Sequence, residues 1–201
     1  QVNVLDKAIH MAVEDLFSAT NFILENADQF GVSPDNIVIS GSSAGAISVM
    51  QAEYEIANST SWASVLPEGF NYAGVMSFSG AILSREGKVD YKKVPCATLM
   101  LHGTSDELVP YNQIKVFNLG FFGGGKLVER FKKFGLNYNM YHFTGYGHEI
   151  AGSMGTTFDL QDKFLKTNVM QKKMRIVEAW IDDPNVYKGS GPQSRKELYG
   201  N

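Results

Sequence analysis

The chain has 201 residues and a net charge of −3, with 44% apolar and 19% charged residues. This composition is typical of a folded domain and excludes a disordered or collagen-like chain. The single cysteine, Cys96, excludes a disulfide framework and any metal cluster built from several thiolates of this chain. The acidic balance argues against nucleic acid or an anionic membrane as a partner, and no apolar run approaches the roughly 18 residues that span a bilayer.

The first thirty residues predict one long amphipathic helix. Apolar residues recur at steps of three and four from Ala8 to Phe30, and Gly31 is placed to end the helix. Residues 37–40, from Ile37 to Ser40, form a short β-branched run that predicts a buried strand. A second helix is predicted to run from the Gly-Ser-Ser-Ala-Gly segment to residue 57.

Three further apolar runs predict buried strands. They occupy residues 74–78, 97–101 and 139–143. Four strands that alternate with helices favour an α/β domain over residues 1–183, with a mostly parallel sheet flanked by helices. In such sheets, reactive side chains collect at the carboxyl ends of the strands.

The remaining segments carry weaker patterns. Residues 111–122 predict a loop or short helix, residues 126–134 a helix, and the apolar residues from Phe164 to Ile181 a final helix. The glycines between the first two of these segments predict a flexible loop. Residues 184–201 are polar and predict a C-terminal tail. The short connection over 80–95 leaves no room for a large lid, which predicts an open cleft.

The strongest chemical signal is Gly-x-Ser-x-Gly between a predicted strand and a predicted helix. A serine on this sharp turn is forced out above the sheet, and the spacing selects Ser43 rather than Ser42 as the nucleophile. We expect the flanking glycines, Gly41 and Gly45, to permit the strained backbone and a close approach of a neighbouring strand. The Ala44 amide, at a helix N-terminus, can donate to a developing oxyanion.

A serine nucleophile needs a base and an acid that orients it. Asp106 follows the third predicted strand and His148 follows the fourth, in the chain order Ser, Asp, His that this architecture uses. Glu107 and Asp90 remain rivals for the acid role. The sequence therefore predicts a catalytic triad and requires neither a cofactor nor a metal ion.

Other polar and aromatic residues carry weaker signals. His10 is interpreted as a packing or surface residue and His142 as a residue inside a strand. His102 is interpreted as a residue that hydrogen bonds beneath the loop that carries Asp106, the acid loop, and Cys96 as a packed thiol. Five aromatic residues could line the cleft or simply pack in the core. They are Trp62, Phe70, Phe121, Phe122 and Tyr146.

Three segments carry a resemblance to the α/β-hydrolase superfamily that covers nearly the whole chain. They are Gly-Ser-Ser-Ala-Gly, the run His-Gly-Thr-Ser-Asp-Glu-Leu-Val-Pro-Tyr that begins at His102, and Gly-Tyr-Gly-His-Glu around His148. Residues 32–46 are similar to those of bacterial lipase, feruloyl-esterase and carbohydrate-esterase proteins. The resemblance implies a serine esterase acting on acetyl or feruloyl esters of plant polysaccharide, and an exported protein.

Proteins of that superfamily carry several strands before the helix that opens this sequence. We therefore expect the chain to be the C-terminal part of a larger domain, with the strand at 37–40 left at an edge. Unpaired backbone groups along an edge favour pairing with another strand. We expect a further segment, or a second copy in a homo-oligomer, to pair there.

Two classes of function remain open at this stage. The first is a serine hydrolase, in which a peptidase or an acyltransferase is an alternative to an esterase because the triad does not choose the leaving group. The second is a non-catalytic, hydrolase-like module that binds a partner through its open edge.

Overall fold

The computed structural model describes residues 2–183, together with residues 196, 197 and 200. Apart from those three positions, the polar tail predicted at 184–201 lies outside the described residues. Within the described ranges, none of the helices is both long enough and apolar enough to cross a membrane.

The predicted N-terminal helix forms, but it is divided into α1, Val2–Glu25, and α2, Ala27–Phe30. The side-chain amide of Asn26 donates to the carbonyl of Phe22 at 2.8 Å and so competes with the helix backbone at this point. Gly31, with φ 65°, ends the second piece as predicted. The inward side chains of α1 are at most 5% exposed. They are Ile9, Val13 and Phe17.

A parallel sheet, the main sheet, forms the centre of the described residues. Its strand order is β1-β2-β4-β7-β8, and every neighbouring pair is parallel. The strands are β1 Val38–Ser42, β2 Gly74–Phe78, β4 Ala97–Gly103, β7 Tyr138–Phe143 and β8 Val177–Ile181. Helix α3, Ala44–Ala57, packs with α1 in one core cluster, whereas α5, Phe158–Phe164, contributes Phe164 to a second. The predicted α/β class is confirmed.

A second, antiparallel sheet, the small sheet, contradicts the predicted loop or short helix at 111–122. It consists of β3, Ala81–Ser84, β6, Leu119–Gly123, and β5, Gln113–Val116, in the order β3-β6-β5. Apolar residues alternate with polar residues along β5, but in β6 Phe121 and Phe122 are adjacent. A pattern over only four or five positions is too short to distinguish a strand from a helix. The pairing of β6 with β3, about forty residues earlier, decides the structure.

The sequence predicts a C-terminal helix over 164–181, and this prediction is wrong for the residues after Met170. Helix α5 passes into a π-helical turn at Leu165–Met170, and Val177–Ile181 then forms β8 beside β7. In β8, Val177, Ala179 and Ile181 alternate with polar or exposed neighbours. This period of two fits a strand, and the exposed hydrogen-bonding edge of β7 selects it.

Helix α4 spans Gly124–Phe134 and begins two residues before its predicted start. Gly124 and Gly125 form its first turn rather than the flexible loop predicted from the glycine run. Both glycines are buried against neighbouring side chains, so packing overrides the low helix propensity of glycine here.

Strand β1 lies at an edge of the main sheet, as the sequence predicts. Its pairing partner is β2, and among the described residues the sheet order places no strand on its other side. Ser40, in the middle of β1, is exposed. Backbone N–H and C=O groups on such an edge are available to another strand.

We expect the 201-residue chain, studied alone, to self-associate through β1. Ser40→Lys should reduce this association, because a lysine on an edge strand disfavours strand pairing. Light scattering after gel filtration over a range of concentrations measures it. Gln29→Lys, on the exposed face of α2, adds the same charge away from the edge and should have no effect. A monodisperse wild-type monomer at all concentrations would contradict the expectation.

Helix α3 carries a buried carboxyl group, that of Glu53. Glu53 is 4% exposed, and its Oε1 accepts a hydrogen bond from the Cys96 N–H at 2.8 Å. Its Oε2 has no hydrogen-bond partner in the described part of the chain. Burial raises the pKa of Glu53 to about 7 from 4.5. Burial likewise raises the pKa of the Cys96 thiol, which agrees with the predicted packed thiol.

Because the folded pKa of Glu53 is raised, its contribution to stability is fully present below pH 4.5 and is lost as the pH rises through about 7. The loss is on the order of 3 kcal/mol, from about 1.4 kcal/mol per unit of pKa difference. Urea unfolding over this pH window should show the decrease in wild type and a flatter profile in Glu53→Gln. Glu25→Gln, on an exposed position of α1, serves as control. An unchanged profile in Glu53→Gln would exclude Glu53 as the source.

Candidate active site

Ser43 lies on a strained turn between β1 and α3. Its φ is 53° and its ψ is −118°, a conformation that costs a non-glycine residue about 1–3 kcal/mol. The turn is held by its own backbone, since the Ser43 N–H donates to the Phe78 carbonyl at 2.9 Å and its carbonyl accepts from the Ile47 N–H at 3.0 Å. The surrounding structure thus presents the Ser43 side chain at the carboxyl end of β1.

The two glycines around Ser43 differ in their steric role. A Cβ on Gly41 would lie 2.2 Å from the Gly45 carbonyl oxygen, so only glycine fits at the end of this strand. A Cβ on Gly45 would meet no described atom within 4 Å. The expected close approach is confirmed for Gly41, and it is made by the first turn of α3 rather than by a strand.

The structure brings the three sequence-predicted residues into one hydrogen-bonded chain, the Ser–His–Asp chain. The His148 Nε2 lies 2.8 Å from the Ser43 Oγ, and its Nδ1 lies 2.9 Å and 3.1 Å from the Asp106 carboxylate oxygens. Asp106 is 7% and His148 9% exposed, whereas Ser43 is more accessible. A solvent-accessible hydroxyl therefore hydrogen bonds to a largely buried imidazole and carboxylate.

The loops that carry Asp106 and His148 are joined by backbone hydrogen bonds. The Ser105 N–H donates to the Tyr146 carbonyl at 2.8 Å, and the Thr104 N–H donates to the Phe143 carbonyl at 3.0 Å. Gly103 permits this approach, because a Cβ there would lie 2.3 Å from the Tyr146 carbonyl oxygen. The imidazole and the carboxylate are thus held by one packed pair of loops.

Asp106 accepts hydrogen bonds from its own loop as well as from His148. Its Oδ1 accepts the backbone N–H groups of Leu108 and Val109, each at 3.0 Å. Its Oδ2 lies 3.4 Å from the His102 Nε2. Burial alone would raise the pKa of Asp106, but the hydrogen bonds from His102 and His148 outweigh burial and hold the pKa well below its usual range. The carboxyl group is therefore ionised at neutral pH.

His102 hydrogen bonds beneath the acid loop, as the sequence predicts. The Gly124 N–H donates to its Nδ1 at 3.2 Å, and its Nε2 lies 3.1 Å from the Val109 carbonyl oxygen. An Nδ1 that accepts leaves the proton on Nε2, which then donates to Val109 and faces Asp106. His102 thereby links α4 to the loop that holds the carboxylate, a role for which the sequence offers only its position at a strand end.

The rival candidates for the nucleophile and the acid lie elsewhere. The Ser42 Oγ donates to the Ala151 carbonyl at 2.5 Å. Asp90 forms ion pairs with Lys88 and Arg130, and Glu107 is exposed. The contacts to His148 are thus made by Ser43 and Asp106.

The other predicted histidine roles agree with the structure. His10 stacks on Trp62, with ring centroids 4.0 Å apart, at the surface of α1. His142 is 1% exposed, between the Tyr111 hydroxyl at 2.7 Å and Glu178 at 3.2 Å. Burial lowers its pKa, so it is a neutral core residue. Among the described residues, no group of three or more His, Cys, Asp or Glu side chains is arranged to hold a metal ion.

The five aromatic candidates have different environments. Phe122 and Tyr146 are buried in the two core clusters, and Phe70 lines a separate pocket near residues 59–71. Trp62 packs against His10. Phe121 lines an apolar pocket that also contains Val109, three residues after Asp106.

We expect Asp106 to contribute to the loss of folding stability at acid pH. Because its folded pKa lies below the ordinary 3.8, its stabilisation is present above pH 3.8 and is lost as the pH falls toward the lowered value. Asp106→Asn should therefore be less stable at neutral pH and should lack this part of the decline in urea unfolding between about pH 5 and pH 2. Asp35→Asn, at an exposed turn, is the control. Parallel acid profiles for wild type and Asp106→Asn would refute the expectation.

The fold of this chain has counterparts among solved structures. No protein-family model and no curated protein matches the sequence. The chain is similar to the crystal structure of esterase PE8, with a TM-score of 0.50 and 19% identity over 79% of this chain and 62% of that chain. It also resembles a variant of SOBER1 from Arabidopsis thaliana, with a TM-score of 0.46 and 18% identity over 77% and 65% of the respective chains. The chain thus spans less than two thirds of either protein.

The architecture and the comparison with esterase PE8 lead to the same fold. The main sheet is parallel, core clusters lie on both of its faces, and the Ser–His–Asp chain is at its carboxyl edge. This chain has the α/β-hydrolase fold.

Proposed function

We propose that the chain carries the catalytic centre of a serine carboxylic-ester hydrolase. The observation that supports this most directly is the Ser–His–Asp chain, with Ser43 Oγ at 2.8 Å from His148 Nε2 and Asp106 at 2.9 Å from His148 Nδ1. These are the contacts that a serine hydroxyl needs to act as a nucleophile.

In the first half-reaction, the Ser43 oxygen attacks the ester carbonyl and its proton moves to the His148 Nε2. The charge that develops on the imidazole is stabilised by Asp106, which also holds the proton on Nδ1. His148 then donates the proton to the alkoxide oxygen of the leaving alcohol as the C–O bond breaks. An acyl group remains on Ser43.

In the second half-reaction, water gives a proton to His148 and attacks the acyl group, and the acid product leaves as Ser43 regains its proton. Each step places negative charge on the former carbonyl oxygen. Ala44 is the first residue of α3, so its N–H and the positive end of the 14-residue helix can stabilise that charge.

The substrates that we propose are esters whose carbonyl can reach an exposed turn. Ala44 and Gly45 are exposed, and Ser43 is partly exposed, which agrees with a cleft that admits an ester attached to a larger molecule. Acetyl and feruloyl esters of plant polysaccharide, which the sequence resemblance implies, are the first candidates.

Ser43→Ala tests this function. In the purified full-length protein, it should lower kcat/KM for p-nitrophenyl acetate by at least about 10³-fold and abolish labelling by a fluorophosphonate probe. Ser42→Ala is the matched control, because the Ser42 hydroxyl donates to the Ala151 carbonyl, whereas His148 contacts the Ser43 hydroxyl. The control should keep most of the activity and the labelling. Equal rates for wild type and Ser43→Ala would remove Ser43 from the mechanism.

A further inference from the structure

An apolar pocket of about 310 Å³ lies between α1, α3, the acid loop and the small sheet. All of its lining residues are apolar, and they include Ile47 from α3, Leu108 from the acid loop and Leu119 from β6. Such a volume is at the lower end of the range for small-molecule sites.

The pocket shares its walls with the backbone that holds the proposed catalytic residues. The Ile47 N–H donates to the Ser43 carbonyl at 3.0 Å, one helical turn after the serine. Leu108 and Val109 donate their N–H groups to Asp106 and place their side chains in the pocket wall. The pocket is therefore adjacent to the residues that position Ser43 and Asp106.

The pocket has a buried floor and an open rim. Leu83 and Val109 are 2% and 5% exposed, whereas Ile114 and Val116 are 47% and 57% exposed. The rim strand β5 is held by its pairing with β6, so the rim belongs to the small sheet. Water in such a pocket has few polar partners, and its replacement by an apolar group is favourable.

We propose that this pocket binds an apolar group of the ester substrate, an alkyl chain or an aryl ring close to the scissile carbonyl, and that the small sheet sets its accepted length. This inference rests on the proposed function and narrows it. An acetyl group would leave most of the pocket unused, whereas a medium-length acyl chain or an aromatic acyl group would fill it. Substrates of the second kind are therefore preferred.

Two ester series test the proposal and determine which side of the ester occupies the pocket. The first varies the acyl group in p-nitrophenyl acetate, butyrate, hexanoate and octanoate. The second keeps the acetyl group and varies the alcohol from methyl to hexyl and octyl, followed by titration of released acid. In the series that varies the group bound in the pocket, kcat/KM should rise by up to about fourfold for each buried methylene, the equivalent of about 0.8 kcal/mol, until the pocket is full.

Two variants test whether the small sheet determines the preference for longer chains. Ile114→Gln places a polar group at the exposed rim, and Leu119→Phe reduces the pocket volume, so each should weaken the rise with chain length. For each variant, the rate on methyl acetate, whose groups are too short to reach the rim, serves as its own reference, and the rise with chain length relative to that reference is compared with the rise in wild type. Val94→Gln is the matched control, because Val94 is 77% exposed and does not line the pocket.

The outcomes separate this inference from the proposed function. A rise with chain length that Ile114→Gln or Leu119→Phe weakens, and Val94→Gln does not, supports the pocket as the binding site. Rates that are flat or fall with length in both series, while hydrolysis still depends on Ser43, would overturn the pocket and leave the esterase intact. Hydrolysis that does not depend on Ser43 would overturn the proposed function itself.

Discussion

The position of the candidate site depends on the parallel register of β1, β2, β4 and β7. Parallel pairing places the carboxyl ends of these strands at one edge, with Ser42 opposite Phe78, Phe78 opposite Leu101, and Leu101 opposite Tyr141. The loops that follow β1, β4 and β7 must therefore meet there. The pairing of the strands thereby brings Ser43 and His148, which are 105 positions apart in the chain, within side-chain hydrogen-bond distance.

Asp106 connects the candidate site to the rest of the protein through the contacts of its carboxylate. Its carboxylate accepts from two loop amides, lies within hydrogen-bond reach of His148 and faces His102, which in turn contacts the first turn of α4. A buried carboxylate is stable only when its lone pairs are satisfied in this way. The same contacts that keep the group ionised also orient the imidazole toward Ser43.

The small sheet gives the molecule a feature that the main sheet does not supply. In the chain, β3 follows β2, and β5 follows the acid loop, so the small sheet is connected to the carboxyl ends of strands of the main sheet. Its inner side chains close an apolar pocket against α3. In the proposed enzyme, the main sheet would position the reacting groups and the small sheet would select the apolar part of the substrate.

The strands of the main sheet up to β7, together with Ser43, Asp106 and His148, could be predicted from the sequence because their signals are local. Continuous apolar runs indicate buried strands, and a serine between two glycines after such a run indicates a strained turn. The choice of Ser43 over Ser42 follows from the same local spacing, and the order of Ser, Asp and His in the chain favours Asp106, with Glu107 and Asp90 left as rivals. The contacts in the structure agree with both choices.

The small sheet, β8 and the contact of His102 with α4 could not be predicted, because each depends on contacts between residues that are distant in the chain. Residues 119–123 form a strand since β3 lies beside them, and Val177–Ile181 forms one since β7 offers a free edge. An apolar pattern of four or five residues fits a helix or a strand equally well, and long-range pairing decides between them. The sequence by itself determined which groups could react; the tertiary structure alone decided which apolar surface stands beside them, because that surface is built from segments that meet only in the folded chain.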